Sequence, residues 1–270
     1  MKKKILALAL ACVSCLSLLS ACGGKSNEAV TIKVGASPTP HAQILEVAKE
    51  ILAKDNITLE IVSYDDYVLP NANVEDGQLD ANYFQHITYL NNFNANNDTH
   101  LVSVADLHYE PFGIYAGKTT SLDALPDGAI IAIPDDPTNG GRALLLLQEQ
   151  GLITLKDGVG LEPTVEDIAD NPHNFEIKQL TANLLTTTLQ DVDVAVINGN
   201  YAIGAGLKAS EALAIESADG IAGTAYVNVL AVKEGRENDE AIQKLVNALK
   251  SDEVKKFIDE TYGGGVVAVF

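Results

Sequence analysis

The chain has 270 residues, of which 47% are hydrophobic and 20% charged, so it is long and apolar enough to bury a sizeable core. Asp and Glu (37) outnumber Lys and Arg (18), which gives a formal net charge of -19. Nucleic-acid binding needs a basic surface, and a chain this acidic is repelled by anionic lipid. The composition therefore excludes a nucleic-acid-binding protein, and membrane attachment would need something other than a charged patch.

The N-terminal segment is typical of a secretory signal. Lys2-Lys3-Lys4 precede an uncharged apolar stretch at 5–21. Leu19-Ser20-Ala21-Cys22 is similar to the bacterial lipobox, in which the Cys is acylated and becomes the new N-terminus. Several acyl chains anchor stably, because each buried CH₂ contributes about 0.8 kcal/mol. We expect a signal peptide at 1–21, a lipidated tether at 22–29 and anchoring through palmitate-like chains on Cys22; the alternative is an ordinary signal with a chance Cys.

This interpretation also accounts for the cysteines. Cys12 and Cys15 form a Cys-x-x-Cys pattern, which elsewhere suggests redox or metal chemistry. Both lie in the segment expected to be removed, and Cys22 is expected to be acylated. The exported chain is then expected to have no disulfide, no thiol nucleophile and no thiolate metal site.

The rest of the chain alternates between strand and helix patterns. Strands are predicted at 31–36, 57–61, 129–133, 192–197 and 226–232. Helices are predicted at 41–54, from Pro137 to just before Gly151, and over 241–258, with Asp136 as the N-cap of the second. Alternating strands and helices favour parallel α/β sheets, and the chain length favours two lobes with a cleft between them.

Arg142 is one of two arginines; the other, Arg236, lies in a charged, turn-rich stretch typical of a solvated surface. Arg142 follows Gly140 and Gly141 near the expected start of a helix. The glycines would let a ligand or a neighbouring backbone come close, and a guanidinium can bind a carboxylate through two parallel hydrogen bonds. The residues alone leave two alternatives, namely that Arg142 binds a ligand carboxylate or that it forms an internal ion pair with a nearby Asp.

Aromatic residues cluster in and just after the segment Asp80-Ala81-Asn82-Tyr83-Phe84. A strand that ends near Phe84 and continues into a helix would place His86, Tyr89 and Phe93 on one helical face. Such rings could enclose an apolar or thioether side chain, or they could simply belong to the core.

Two asparagines occupy positions where the pattern predicts apolar residues. Asn198 ends one predicted buried strand and Asn228 lies inside another. Each buried amide must find hydrogen bonds, and an amide can both accept from an ammonium and donate to a carboxylate.

Enzyme motifs are missing from the sequence. It has no Gly-x-Ser-x-Gly elbow, P-loop or dinucleotide fingerprint. Asp65-Asp66 and Asp135-Asp136 could be paired acid–base carboxylates, but loop or cap residues are the simpler interpretation. The histidines show no metal-ligand spacing; they are His41, His86, His100, His108 and His173. We expect no enzyme activity, no cofactor and no metal.

Motifs spread along the chain in order resemble one known family. They are Tyr64–Asn71 (YDDYVLPN), Asp80–His86 (DANYFQH) with Tyr89-Leu90, Pro134–Leu147, Leu155–Leu161 with Pro163-Thr164-Val165, Ala195–Asn198, Tyr226–Asn228 and Ser251–Val254. Together they resemble the NlpA-type substrate-binding lipoproteins, the methionine-binding components of ABC importers.

The resemblance implies an α/β, two-lobed periplasmic-binding-protein fold of type II-like architecture, with two crossover strands and a central ligand cleft. Lobe 1 would hold residues 30–110, completed by 226–270, and lobe 2 would hold 111–225. The family's pocket pattern falls on Tyr67, Phe84, His86 and Tyr89 around the ligand side chain, on Arg142 for the carboxylate, and on Asn198 and Asn228 for the polar end of the ligand. One departure is Asn200, where many relatives have a small hydroxyl residue.

By the same resemblance, the protein would be lipid-anchored on the extracytoplasmic face of the cell membrane. It would bind methionine between the lobes and deliver it to an ABC permease with its ATPase subunit. The alternative is the same fold binding a methionine-containing dipeptide, D-methionine or another apolar amino acid.

Overall fold

The computed structural model describes residues 30–218, 220 and 222–270. The predicted signal peptide, the tether and the lipidation site Cys22 lie outside the described residues. Two larger sheets and a two-stranded ribbon carry the described fold.

The first sheet has six strands in the order β13-β4-β12-β3-β1-β2. Its strands are β1 (Val30–Ala36), β2 (Ile57–Ser63), β3 (Ala81–His86), β4 (Leu101–Tyr109), β12 (Val227–Lys233) and β13 (Val267–Ala268). Strand β3 pairs in parallel with β1, whereas β12 runs antiparallel to both β3 and β4. The sheet is therefore mixed, and the predicted parallel pairing holds for only part of it.

The second sheet has five strands in the order β11-β5-β10-β6-β9, and β7 pairs separately with β8. These strands are β5 (Gly113–Ala116), β6 (Ile130–Pro134), β7 (Thr154–Leu155), β8 (Ile168–Asp170), β9 (Glu176–Leu180), β10 (Val194–Ile197) and β11 (Ala214–Ile215). Strand β6 is parallel to both β9 and β10, as continuous apolar runs predict.

Helices cover the sheets. They are α1 (Gln43–Leu52), α2 (Leu69–Glu75), α3 (Ile87–Asn97), α4 (Pro137–Glu149), α5 (Gly199–Gly204), α6 (Ala222–Ala225), α7 (Glu240–Leu249) and α8 (Asp252–Tyr262). Apolar residues of α1, α7 and α8 pack on the first sheet, and those of α4 pack on the second. No helix in the described part of the chain is long and apolar enough to span a bilayer.

Local chemistry explains where α4 begins and ends. Asp136 is the N-cap, and its carboxylate accepts a hydrogen bond from the amide of Asn139, while Pro137 occupies the first turn. The helix ends at Glu149, and Gly151 follows with a positive φ of 72°. The predicted start and stop of this helix are confirmed.

The chain passes between the two sheets twice. The first passage connects β4 to β5 through residues 110–112, and the second connects β11 to β12 through residues 216–226. The predicted α/β class with two connections between two sheets is confirmed, and the lobe boundaries stay a prediction. Residues near these passages border the cavity described next.

Candidate functional site

One cavity brings the predicted ligand-binding residues together, and its empty space, part of which is open to solvent, is about 350 Å³. Its lining includes all seven of them, namely Tyr67, Phe84, His86, Tyr89, Arg142, Asn198 and Asn228. It also includes five residues that were not predicted, namely Gln85, Glu110, Asn139, Gly199 and Asn200. These lining residues belong to elements of both large sheets, so the cavity lies between the two sheets.

Hydrogen bonds across the cavity join the segment that follows β2 to helix α5 on the other side. The Tyr67 hydroxyl donates to Asn200 Oδ1 at 2.6 Å, and the Tyr201 hydroxyl donates to the Asp65 carbonyl at 3.0 Å. Further out, Asn92 donates to Glu162 at 3.0 Å. Side chains that follow β2 therefore touch α5 directly, and the cleft is closed. Asn200 has a clear position in this arrangement, since it fixes the Tyr67 hydroxyl.

One end of the cavity is an aromatic wall. The rings of Tyr67, Phe84 and Tyr89 lie 5.7–6.2 Å apart between centroids, within the range of favourable ring contacts. Phe93 stacks behind Tyr89 at 6.2 Å. Of the three rings predicted to share a helical face, His86 and Tyr89 line the cavity, whereas Phe93 belongs to the core.

A buried amide cluster supports this wall and was missed from the sequence. The Asn71 amide donates to Gln85 Oε1 at 2.8 Å, and Gln85 donates back to Asn71 Oδ1 at 2.6 Å. Asn82 donates to Asn71 Oδ1 and to the Pro70 carbonyl. These bonds hold the segment after Tyr67 against β3. The sequence gives no signal that these amides are buried, because Asn is also common in exposed turns.

A chain of hydrogen bonds fixes the orientation of Asn198. The Asn139 amide donates to Asp136, so Asn139 Oδ1 faces the other way. That oxygen accepts from His86 Nε2 at 3.2 Å and from Asn198 Nδ2 at 2.7 Å. Asn198 Oδ1 is consequently left over; it is buried and has no hydrogen-bond partner among the described residues. A buried acceptor at a cavity wall indicates a donor group on a ligand.

Asn228 belongs to a second polar cluster at the cavity. Its Oδ1 lies 3.0 Å from His41 Nε2. The Glu110 carboxylate accepts from His108 Nε2 at 2.7 Å and lies 3.5 Å from His41 Nε2. Ligand atoms of His41, His108 and Glu110 lie within 4.8 Å of one another, so these three could hold a metal ion. The sequence spacing of the histidines gives no sign of this cluster, because the fold brings His41 and His108 together from separate elements.

Arg142 both borders the cavity and forms a buried ion pair. Its Nε donates to Glu216 Oε2 at 3.0 Å, and its Nη2 donates to Glu216 Oε1 and to the Glu110 carbonyl. Its guanidinium carbon lies 4.2 Å from the Tyr226 ring centroid. The two alternatives left open for Arg142 are therefore not exclusive, and the acid is Glu216 rather than a nearby Asp. Because a guanidinium has five N–H donors, these bonds do not exhaust it.

The glycines before Arg142 serve close packing of backbone. A Cβ on Gly141 would lie 2.7 Å from the Glu162 Cα, and one on Gly140 would lie 3.0 Å from the Pro134 carbonyl oxygen. Of the two possibilities raised by the sequence, the close approach of a neighbouring backbone is the one observed. The carboxylate of Asp66, like that of Asp136, accepts backbone amides as a cap.

Burial lowers the pKa values of three histidines near the cavity. The pKa of His41 falls from 6.5 to about 4, although the Glu110 carboxylate acts in the opposite direction. Burial also lowers the pKa of His86 to about 3 and that of His108 to about 3. All three imidazoles are therefore neutral near neutral pH. This agrees with Tyr89 donating its backbone amide to His86 Nδ1.

We expect the free energy of unfolding to fall as the pH falls from 6.5 to about 4. In that window the imidazoles are protonated in the unfolded chain but remain neutral in the folded protein, so the unfolded state binds more protons. Each histidine contributes at most about 1.4 kcal/mol per pH unit. Burial raises the pKa values of Glu110 and Asp136, so these two carboxyl groups favour the folded state as the pH falls. They oppose the effect of the three histidines but are fewer.

Urea denaturation at a series of pH values measures this effect. His41→Gln should flatten the slope, because it removes one of the three buried imidazoles. Equal stability across the window in the parent protein would contradict the buried neutral state of these histidines.

Comparison with known proteins gives a consistent result. The family model described as NlpA lipoprotein matches residues 32–270. A lipoprotein structure from Ruminococcus gnavus is 54% identical, with a TM-score of 0.88 over 89% of this chain and 99% of that one. A nutrient binding protein from Burkholderia cenocepacia, solved bound to methionine, is 41% identical, with a TM-score of 0.85 over 88% of this chain and all (100%) of that one.

A curated relative points in the same direction. The D-methionine-binding lipoprotein MetQ of Escherichia coli O157:H7 is 41% identical over 92% of each chain. These likenesses confirm the two-lobed periplasmic-binding-protein fold that the sequence motifs imply. With a family model that covers nearly all of the described residues, this chain belongs to the NlpA lipoprotein family.

Proposed function

We propose that this protein is the extracytoplasmic substrate-binding lipoprotein of an ABC importer and that it binds methionine in the cavity between its two sheets. The observation that carries the proposal is the division of one cavity into an aromatic end and a polar end. The polar end offers Arg142 and the buried acceptor Asn198 Oδ1. A free amino acid with an apolar side chain matches both ends.

The polar groups would bind the two charges of the amino acid. Arg142 would donate to the α-carboxylate, with its remaining donors beside the bonds to Glu216 and Glu110. Asn198 Oδ1 would accept from the α-ammonium, which supplies the missing hydrogen bond. Asn228 would complete the polar end. A ligand that satisfies a buried orphan acceptor gains more than one that leaves it unpaired.

The aromatic wall would receive the thioether side chain. Tyr67, Phe84 and Tyr89, with His86 beside them, would surround the sulfur, and each sulfur–aromatic contact contributes about 0.3–1.5 kcal/mol. The relatives solved with methionine or named for D-methionine support this assignment. We therefore place methionine before leucine or another apolar amino acid as the ligand.

Delivery follows from closure of the cleft. We propose lobe 1 as residues 30–110 with 226–270 and lobe 2 as 111–225, with the ligand stabilising the closed state through contacts to both. The closed form would dock on a permease whose ATPase subunit supplies the energy, and this chain would perform no chemical step. Acyl chains on Cys22 would hold the protein on the extracytoplasmic face of the membrane.

Calorimetric titration of the full chain, stripped of ligand, tests the proposal. The ligands are L-methionine, D-methionine, glycyl-methionine, leucine and histidine. We expect a methionine enantiomer to bind most tightly and histidine not to bind, because a charged or polar ring cannot replace the thioether in the aromatic wall. Tightest binding of glycyl-methionine would support the dipeptide alternative, and flat heats for both methionine enantiomers would refute the proposal.

A further inference from the structure

The buried carboxylate of Glu110 borders the same cavity and was not among the predicted residues. It lies in the first passage between the sheets and is only 5% exposed. A Cβ on Gly199 would lie 2.8 Å from its Oε2, so Glu110 packs directly against the residue that follows Asn198. Its carboxylate therefore lines the same cavity as the orphan acceptor Asn198 Oδ1.

The groups that touch the Glu110 carboxylate are hydrogen-bond donors. Because a carboxylate only accepts, His108 carries its proton on Nε2 and donates it to Glu110, and His108 Nδ1 then accepts from the Tyr83 hydroxyl. His41 directs its Nε2 toward both Asn228 and Glu110. A backbone hydrogen bond from Asn200 reaches the same carboxylate. Every contact is of the kind that a carboxylate accepts.

The arginine of the cavity forms its direct ion pair with another acid and attracts the Glu110 carboxylate only through space. Arg142 is the arginine at this site, and its guanidinium binds the carboxylate of Glu216 through two nitrogens. Asp136, a half-buried acid nearby, caps helix α4 and accepts from Asn139 and Thr138. Arg142 and His41 attract the Glu110 carboxylate, but burial has the larger effect and raises its pKa. Among the described residues, no Lys or Arg side chain bonds directly to that carboxylate.

A buried carboxylate without a directly bonded cation is costly to ionise, and a cationic group on the ligand would relieve that cost. Resting on the proposed function, we propose that Glu110 is a specificity-determining residue whose carboxylate selects ligands that carry a free α-ammonium. Asn198 Oδ1 and Glu110 then act together on the ligand ammonium, one through a hydrogen bond and the other through its charge. Amino acids are bound, and the corresponding carboxylic acids without the amino group are rejected.

A double-mutant cycle between protein charge and ligand charge tests this assignment. The protein variants are the parent and Glu110→Gln, which keeps the size and hydrogen-bonding ability of the side chain but removes its charge. The ligands are methionine and 4-(methylthio)butanoate, which is methionine without its amino group and is too small to clash. Glu176→Gln, at an exposed position of β9, is the matched control. Thermal unfolding of each variant checks that it is folded.

We expect Glu110→Gln to weaken methionine binding by about ten- to hundredfold, the value of a hydrogen bond to a charged group, and to leave 4-(methylthio)butanoate binding unchanged or stronger. Equal weakening of both ligands would mean that Glu110 only supports the cavity wall, and unchanged methionine binding would mean that it has no function there. Either result would overturn this inference while the parent protein still binds methionine. Failure of the parent to bind methionine would refute the proposed function itself.

Discussion

Replacing Arg142 with Ala should weaken methionine binding by about 2–5 kcal/mol, the usual cost of truncating one partner of a buried, hydrogen-bonded charge pair. The reason is that the ligand carboxylate would enter a cavity that keeps Glu110 and Glu216 but has lost its arginine. Titration calorimetry of the ligand-stripped full chain measures the loss. Arg142→Lys should lie between Ala and the parent, because Lys keeps the charge without the planar fork.

The second arginine provides a matched control. Arg236 pairs with Asp80 and Asp239 at a partly exposed position away from the cavity. Arg236→Ala should leave methionine affinity unchanged and reduce stability only slightly, since exposed ion pairs contribute about 0–1 kcal/mol. If Arg142→Ala binds methionine like the parent and loses only stability, Arg142 is a structural residue and the proposed ligand geometry is wrong.

Replacing Glu216 with Gln should produce the largest loss of stability, about 3–5 kcal/mol, because it leaves the buried Arg142 charge unpaired. The Glu216 carboxylate also accepts from the Tyr109 hydroxyl at 2.6 Å and from the Phe112 amide at 3.1 Å. The amide of Gln would face one of these donors with its own NH₂ group. These bonds connect the two passages between the sheets, so the variant should destabilise both passages at once. Urea denaturation measures the free energy of unfolding.

Two further variants show whether the cause is the unpaired charge. Glu234→Gln, at an exposed position, should have almost no effect on stability. The double variant Arg142→Met/Glu216→Leu should regain much of the loss, because removing both charges leaves none buried alone. A double variant less stable than Glu216→Gln would argue that the packing of these side chains, and not their charge, is what matters.

Features with a local cause could be predicted from the sequence. Asp136 and Pro137 fix the start of α4 through capping chemistry that acts within one turn. Strand β3 illustrates the limit of such reasoning, since it was expected to end near Phe84 and continues to His86. The extension follows from pairing with β12, where Asn228 lies opposite His86. That partner is far away in sequence, and no local pattern reveals it.

The missed residues of the site have a common physical reason. Glu216 lies 74 positions from Arg142, in a stretch without periodicity, and Glu110 follows a strand where an acid would ordinarily be exposed. Burial of an acid is decided by partners from other elements, so the sequence gives no signal for it. Family motifs led to the aromatic wall and the asparagines. They did not lead to Glu216, which pairs with Arg142, or to Glu110 in the cavity wall, because these acids are recognisable as parts of the site only once the fold brings them together.

The most direct test of the central claim is a crystal structure of the full chain with methionine bound. We expect the α-carboxylate within hydrogen-bonding distance of Arg142, the α-ammonium beside Asn198 Oδ1, and the thioether among the rings of Tyr67, Phe84 and Tyr89. A ligand bound elsewhere, or one whose carboxylate does not touch Arg142, would contradict the account.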